Sequence, residues 1–224
     1  MSPATGAGSP GAAPHGAVLF DFDGTLADTI PLILASYRHT LAAVEDPVDD
    51  AVVRGWIGRT LIDVLEERHP GRGADLVTRY RTHNLAEHDR LIRTVPGAAD
   101  LLADLQEAGV PVAVVSSKMG ATVRQGMRVT GLPKVDVVVG MEDTPLHKPD
   151  PAPLLLGARR LGVDPGRCVY VGDATVDVRA AHAAGMASVA VTWGAGSRSE
   201  LSAAGAGQVV DDVAALRALL LPAG

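Results

Sequence analysis

Residues 18–29 read VLFDFDGTLADT. Three apolar residues run into two aspartates, Asp21 and Asp23, separated by one phenylalanine, and the chain then turns at Gly24. Residues two apart on a strand share a face, so both carboxylates project together from one strand end. Like charges held that close need a cation, a shared proton or a wet surface turn. In an open parallel sheet, ligands gather beyond the carboxyl ends of the strands, and the pair falls there. Taken alone, the stretch equally describes an Asp-Gly turn carrying two surface acids. The ends of the other strands decide between the two.

Working outward, apolar runs at Ala17–Phe20, Val112–Val115, Val169–Val171 and Ser188–Val191 lack the alternation of a half-exposed sheet, and Val135–Val139 is a fifth candidate. Such runs are expected where helices cover both faces of a parallel sheet. Between them lie the helical patterns AADLLADLQEAG (98–109), APLLLGARRLG (152–162) and DVRAAHAAG (177–185), each stopped by glycine. The closing VVDDVAALRALLL (209–221) reads as a short strand and a helix. This alternation predicts an α/β fold, a Rossmann-like three-layer α/β/α sandwich around a parallel sheet. From Ile30 to Arg93 the rhythm breaks: three helical stretches follow one another with no strand run. We expect an inserted helical domain over residues 30–93, a core made of 16–29 and 94–224, and a disordered Gly/Pro/Ala-rich tail over 1–15.

At 224 residues the chain can bury one large core and a smaller inserted one. A net charge of −6 with no long basic run argues against a nucleic-acid partner. The single cysteine, Cys168, rules out an internal disulfide and suits a reducing compartment. No apolar run is long enough to span a membrane, and no basic residue precedes an apolar stretch at the start. A cytoplasmic protein without a membrane partner is the expectation.

At the next strand end stand Ser116, Ser117 and Lys118. Serine at a strand–helix junction is commonly an N-cap, yet its hydroxyl and the nearby N–H groups also suit an anion. Lys148 follows in HKPDP, fixed by Pro149 and Pro151, in a chain whose only other lysines are Lys118 and Lys134. Finally, VYVGDATVDVRAA stops at Asp173, with Asp177 four residues on. These acids could cap a helix and favour its dipole, or make a hard, oxygen-rich site suited to magnesium.

Strand ends in DFD, SS and GDxxxD, with a lysine loop between the last two, resemble the haloacid dehalogenase superfamily of phosphotransferases from Ala17 to Leu220. The helical stretch is similar to the cap of its phosphoglycolate phosphatase and mutase branch. The resemblance implies that Asp21 is a nucleophile forming an aspartyl-phosphate and that Asp23 is the general acid–base. It implies magnesium held by Asp21, the backbone carbonyl of Asp23 and Asp173, with Asp177 in support. Ser116, Ser117, Lys148 and Gly24 would surround the phosphate. The implied substrate is a small anionic phosphorylated metabolite, phosphoglycolate or pyrophosphate, and the implied protein a monomer or homodimer.

Within the insertion, GWIGRTL (55–61) resembles the family's specificity loop and puts Arg59 and Trp56 at the pocket. YRTHNLAEHDRLI (80–92) and TVRQGMRVTGL (122–132) look like the pyrophosphatase members, which would bring His83, Asn84 or His88 near the leaving phosphate. An ordinary cap helix fits the same residues. Between 31 and 93, nine arginines face ten acids, so net charge does not choose a substrate. Rival readings have their own requirements. A dehalogenase would not need Asp23. A β-phosphoglucomutase-type enzyme would carry a cap histidine where Ile33 stands, and His39 lies further along. A non-catalytic regulatory relative would have lost the nucleophile, serine or lysine, and none is lost.

Overall fold

The computed structural model describes residues 15–135 and 137–221. All but the last residue of the expected tail, and Asp136 within the expected 135–139 strand, lie outside the described residues. The core opens with β1 (Ala17–Phe20), and a two-residue strand, β2 (Ala27–Asp28), leads into four helices. These are α1 (Ile30–Ala42), α2 (Asp50–Arg54), α3 (Leu61–Arg68) and α4 (Gly73–Leu91). Strand β3 (Arg93–Thr94) pairs antiparallel with β2 and returns the chain to the core. There follow α5 (Ala98–Glu107), β4 (Val112–Val115), α6 (Gly120–Val129), β5 (Val137–Val139), α7 (Ala152–Leu161) and β6 (Cys168–Gly172). The chain closes with α8 (Thr175–Ala183), β7 (Ala187–Val191), α9 (Arg198–Ala203), β8 (Gln208–Val210) and α10 (Val213–Leu220).

Six of these strands form one parallel sheet in the order β5-β4-β1-β6-β7-β8. Alternation along β1 divides the core. Val18 and Phe20 join Leu101 of α5, Val123 of α6 and Leu216 of α10 on one face. Ala17 and Leu19 join Leu154 of α7 and Ala180 of α8 on the other. Both faces are therefore dry, which is why the strands read as unbroken apolar runs. Each large side chain so buried contributes about 1.5–3 kcal/mol. The three-layer α/β/α sandwich expected from the sequence is the observed architecture.

The helical cap has a core of its own, in which Leu34, Leu41, Leu65 and Leu76 surround Tyr37 and Tyr80. The two tyrosine rings meet edge-on, with centroids 4.9 Å apart. Three elements were not anticipated: the short helices α2 and α9, and the β2–β3 ribbon that ties the two chain crossings together. The strand expected over 135–139 is also shorter, beginning at Val137. Among the described residues, no helix is long and apolar enough to cross a membrane.

Candidate active site

The central strands β1, β4 and β6 lie side by side, and each is followed at once by a polar residue: Asp21, Ser116 and Asp173. Asp21 is 2% exposed, Ser116 4% and Asp173 not at all, so these are not surface acids. Lys148, from the loop before α7, is buried beside them. Its ammonium donates to Asp177 Oδ1 at 2.7 Å and to Tyr170 Oη at 3.1 Å. Tyr170 in turn donates to the Val115 carbonyl at 2.9 Å. Lys148 Nζ also stands 3.0 Å from Asp21 Oδ1, but without the direction of a hydrogen bond, so that oxygen has no hydrogen-bond partner. Asp173 Oδ1 is likewise unpartnered, while its Oδ2 accepts from the Ala195 N–H at 2.7 Å. Both oxygens of Asp177 are taken, Oδ1 by Lys148 and Oδ2 by the Ala174 N–H at 3.0 Å.

Asp21, Asp173 and Asp177 bring carboxylate oxygens within 4.8 Å of one another. One ammonium against three buried carboxylates leaves the site short of positive charge. Burial raises the pKa of Asp21 to about 7; Lys148 opposes this, and Asp177 and Asp23 add to it. Burial, then Asp177 and Asp21, push Asp173 well above the carboxylate range. For Lys148 burial works the other way, but Asp177 and Asp21 outweigh it and hold the ammonium firmly protonated. Two orphaned hard oxygens in a negatively charged hollow fit a divalent cation such as magnesium. Asp21 and Asp173 have the free oxygens to hold it, whereas Asp177 is committed to Lys148 and the backbone.

Gly24 makes this packing possible. Its φ is +75°, and a Cβ there would stand 2.1 Å from Asp173 Oδ2. The same turn presents Asp23, whose Oδ1 accepts from the ammonium of Lys118. The backbone N–H of Lys118 donates to Ser116 Oγ at 3.2 Å. Ser117 sends its hydroxyl to the Gly58 carbonyl of the cap at 2.9 Å. Here too a glycine is required: Gly58 has φ +90°, and a Cβ would meet Val176 Cγ2 at 2.5 Å.

Above Asp21, a cavity of about 200 Å³ opens between cap and core. Asp23, Ser116, Ser117, Lys118 and Lys148 line its floor. Trp56 and Arg59 line its roof, together with Arg81, Asn84 and Leu85 of α4. Of the three α4 residues expected near the leaving phosphate, only Asn84 reaches this cavity. His83 turns to the Ser36 hydroxyl at 3.3 Å and stacks on His39. His88 lies one turn beyond Asn84 and Leu85, where α6 covers α4. There its Nδ1 meets Asp89 Oδ1 at 2.6 Å, and its ring lies near Gly126. His88 is therefore not a cavity residue. Sequence reasoning placed Lys118 at its strand end without giving it a role, and assigned none to Tyr170 or Arg81. The scarcity of lysine was a usable signal for the first; the others looked like ordinary strand and helix positions.

Comparison with known proteins bears on this geometry. The model of the haloacid dehalogenase-like hydrolase family matches residues 18–191. Pyrophosphatase PpaX of Bacillus pumilus is 36% identical over 178 residues, covering 79% of this chain and 82% of its own. Pyrophosphatase PpaX of Bacillus velezensis is 36% identical over 191 residues, covering 84% and 88%. A haloacid dehalogenase-like hydrolase from Bacteroides fragilis superposes with a TM-score of 0.84 at 27% identity, over 90% of this chain and 99% of its own. Family model, relatives and fold agree, and the chain belongs to the haloacid dehalogenase-like hydrolases.

Proposed function

We propose that this phosphatase is magnesium-dependent and cleaves pyrophosphate through an aspartyl-phosphate on Asp21. The observation that carries the reading is the hollow around Asp21. A buried carboxylate lies 3.0 Å from a lysine ammonium, beside an unpartnered Asp173 oxygen and under a cavity lined with cations. The likeness to pyrophosphatases at 36% identity supports pyrophosphate over phosphoglycolate.

Asp21 and Asp173, with the backbone carbonyl of Asp23, would hold the magnesium ion. When bound, the ion supplies positive charge that offsets the phosphate and keeps Asp21 ionised. Lys148 and Ser116 hold the non-bridging oxygens and orient the phosphorus toward Asp21. Asp21 attacks, the bond to the bridging oxygen breaks, and the departing phosphate takes a proton from Asp23. Asp23 then takes a proton from water. That water attacks the phosphorus, the bond to Asp21 breaks, and the carboxylate returns. Asp177 acts through Lys148, fixing its ammonium in place.

A mutase is disfavoured because Ile33, an apolar residue, lines the cavity where a phosphoryl relay would need an acid–base group. The test is phosphate release from pyrophosphate, phosphoglycolate and β-glucose 1-phosphate, with magnesium or chelator and with Asp21→Asn. The reading predicts magnesium-dependent release, fastest from pyrophosphate and lost in the variant. Equal rates in all three conditions would overturn it. We place the reaction in the cytoplasm, supported by the one cysteine, Cys168, being free and buried.

A further inference from the structure

We propose that Trp193 is a positioning residue that fixes the width of the metal site and, with it, a preference for magnesium over the larger calcium ion. This rests on the magnesium reading above and goes beyond it to what sets the choice of ion.

The candidate ligands come from two segments far apart in the chain. Asp21 and the Asp23 carbonyl belong to the turn after β1, and Asp173 follows β6. Strand β7 lies beyond β6, on the side away from β1. The loop after β7, residues 192–197, nevertheless touches both segments. The Trp193 indole N–H donates to the Thr25 carbonyl at 3.1 Å, joining residues 168 apart in sequence. Gly194 lies against the same turn, where a Cβ on Gly24 would be 3.3 Å from Gly194 Cα. The next two residues hold Asp173: the Ala195 N–H donates to Oδ2 at 2.7 Å and the Gly196 N–H to the carbonyl at 2.9 Å. Gly194 comes so near that a Cβ on it would stand 2.1 Å from Asp173 Oδ2.

The loop is therefore a clamp, with one arm on the turn and the other on Asp173. It is braced as well, since the indole packs against the sheet's apolar core and Ala195 against that of the cap. Trp193 supplies the side-chain grip on the turn; the hold on Asp173 is made by backbone. Rigidity of this kind decides between ions. Magnesium demands near-ideal octahedral geometry at about 2.0–2.1 Å, whereas calcium accepts irregular shells at about 2.3–2.6 Å. A site whose halves can drift apart loses more affinity for the smaller ion. Removing the indole donor lets the turn drift from Asp173. A side chain on Gly194 loosens the other arm, because its Cβ pushes the loop off the carboxylate.

Chelator-treated wild type and Trp193→Phe, titrated with magnesium and with calcium by calorimetry and by the rise in Tm, test this. Phenylalanine keeps an aromatic ring in place and deletes the donor. Magnesium affinity should fall about tenfold or more and calcium affinity by less, so that the ratio of the two drops. A ratio at or above the wild-type value would overturn the proposal, whatever happens to the Tm of the metal-free protein. A tryptophan with only a structural role would lower that Tm and leave the ratio alone. If Trp193→Phe fails to fold, Gly194→Ala decides by the same ratio. Wild type that binds neither ion would sink the magnesium reading itself, whereas wild type that binds both, with an unchanged ratio in the variant, would sink only the clamp.

Discussion

Asp21 and Asp173 each bury a carboxylate oxygen that nothing in the protein hydrogen-bonds, and the free-energy cost of that arrangement is measurable. In the metal-free protein the pKa of Asp21 stands at about 7, above its ordinary value of 3.8, so the folded state binds the proton more tightly than the unfolded state. The resulting stability is complete below the ordinary value and is lost as pH rises toward 7. Asp173 is shifted in the same direction. Chelator-treated protein should therefore melt lower at about pH 8 than at about pH 5, and magnesium should reduce that difference by replacing the proton. A flat or opposite profile in the metal-free protein would contradict the assignment. Lys148→Met removes the one buried ammonium from three carboxylates and should cost about 3–5 kcal/mol in denaturant unfolding. Magnesium should recover part of it. At this scale the sequence named Asp21, Asp23, Ser116, Lys148 and Asp173, because acids, serine and lysine at strand ends are visible in one dimension. The Lys118–Asp23 pair spans 95 residues, and the Ala195 N–H is a backbone donor without a side-chain signature; neither could be read off.

The strands and the glycine stops were the legible elements, since a sheet dry on both faces writes itself as apolar runs. The β2–β3 ribbon was not, because two residues per strand are too few for any periodicity. In α2 only Val53 is buried, so the helix carries no apolar stripe. Function at this scale rests on the turn after β1. Gly24→Ala would add a Cβ 2.1 Å from Asp173 Oδ2 at a φ of +75°. It should cost about 1–3 kcal/mol in stability and weaken magnesium binding about tenfold or more, checked by chemical denaturation and metal titration. Unchanged metal affinity would show that the turn does not set the position of Asp173.

Across the whole molecule, cap and core meet through Ser117 and Gly58, through Gln125 and Asp89, and through Arg81 and Met141. The cavity lies beside these contacts, roofed by the cap and floored by the core. A bound divalent ion would stabilise the folded state by about 2.7 kcal/mol at a concentration a hundredfold above its Kd. For a chain of this size that corresponds to roughly 5–10 °C in Tm, which a chelator should remove. The overall plan was readable because a parallel core interrupted by an all-helical stretch has few other interpretations. Which cap arginines reach the cavity was not, since charge counts carry no direction.

The phosphoryl-accepting role of Asp21 can be tested with Asp23→Asn and p-nitrophenyl phosphate in the presence of magnesium. Nitrophenolate is a good leaving group that needs little help from an acid, whereas the water that must follow still needs a base. The account predicts a rapid burst of one nitrophenolate per protein and a phosphoryl group on the peptide carrying Asp21 after acid quench. Slow release without a burst, or a phosphoryl group on any other residue, would contradict it.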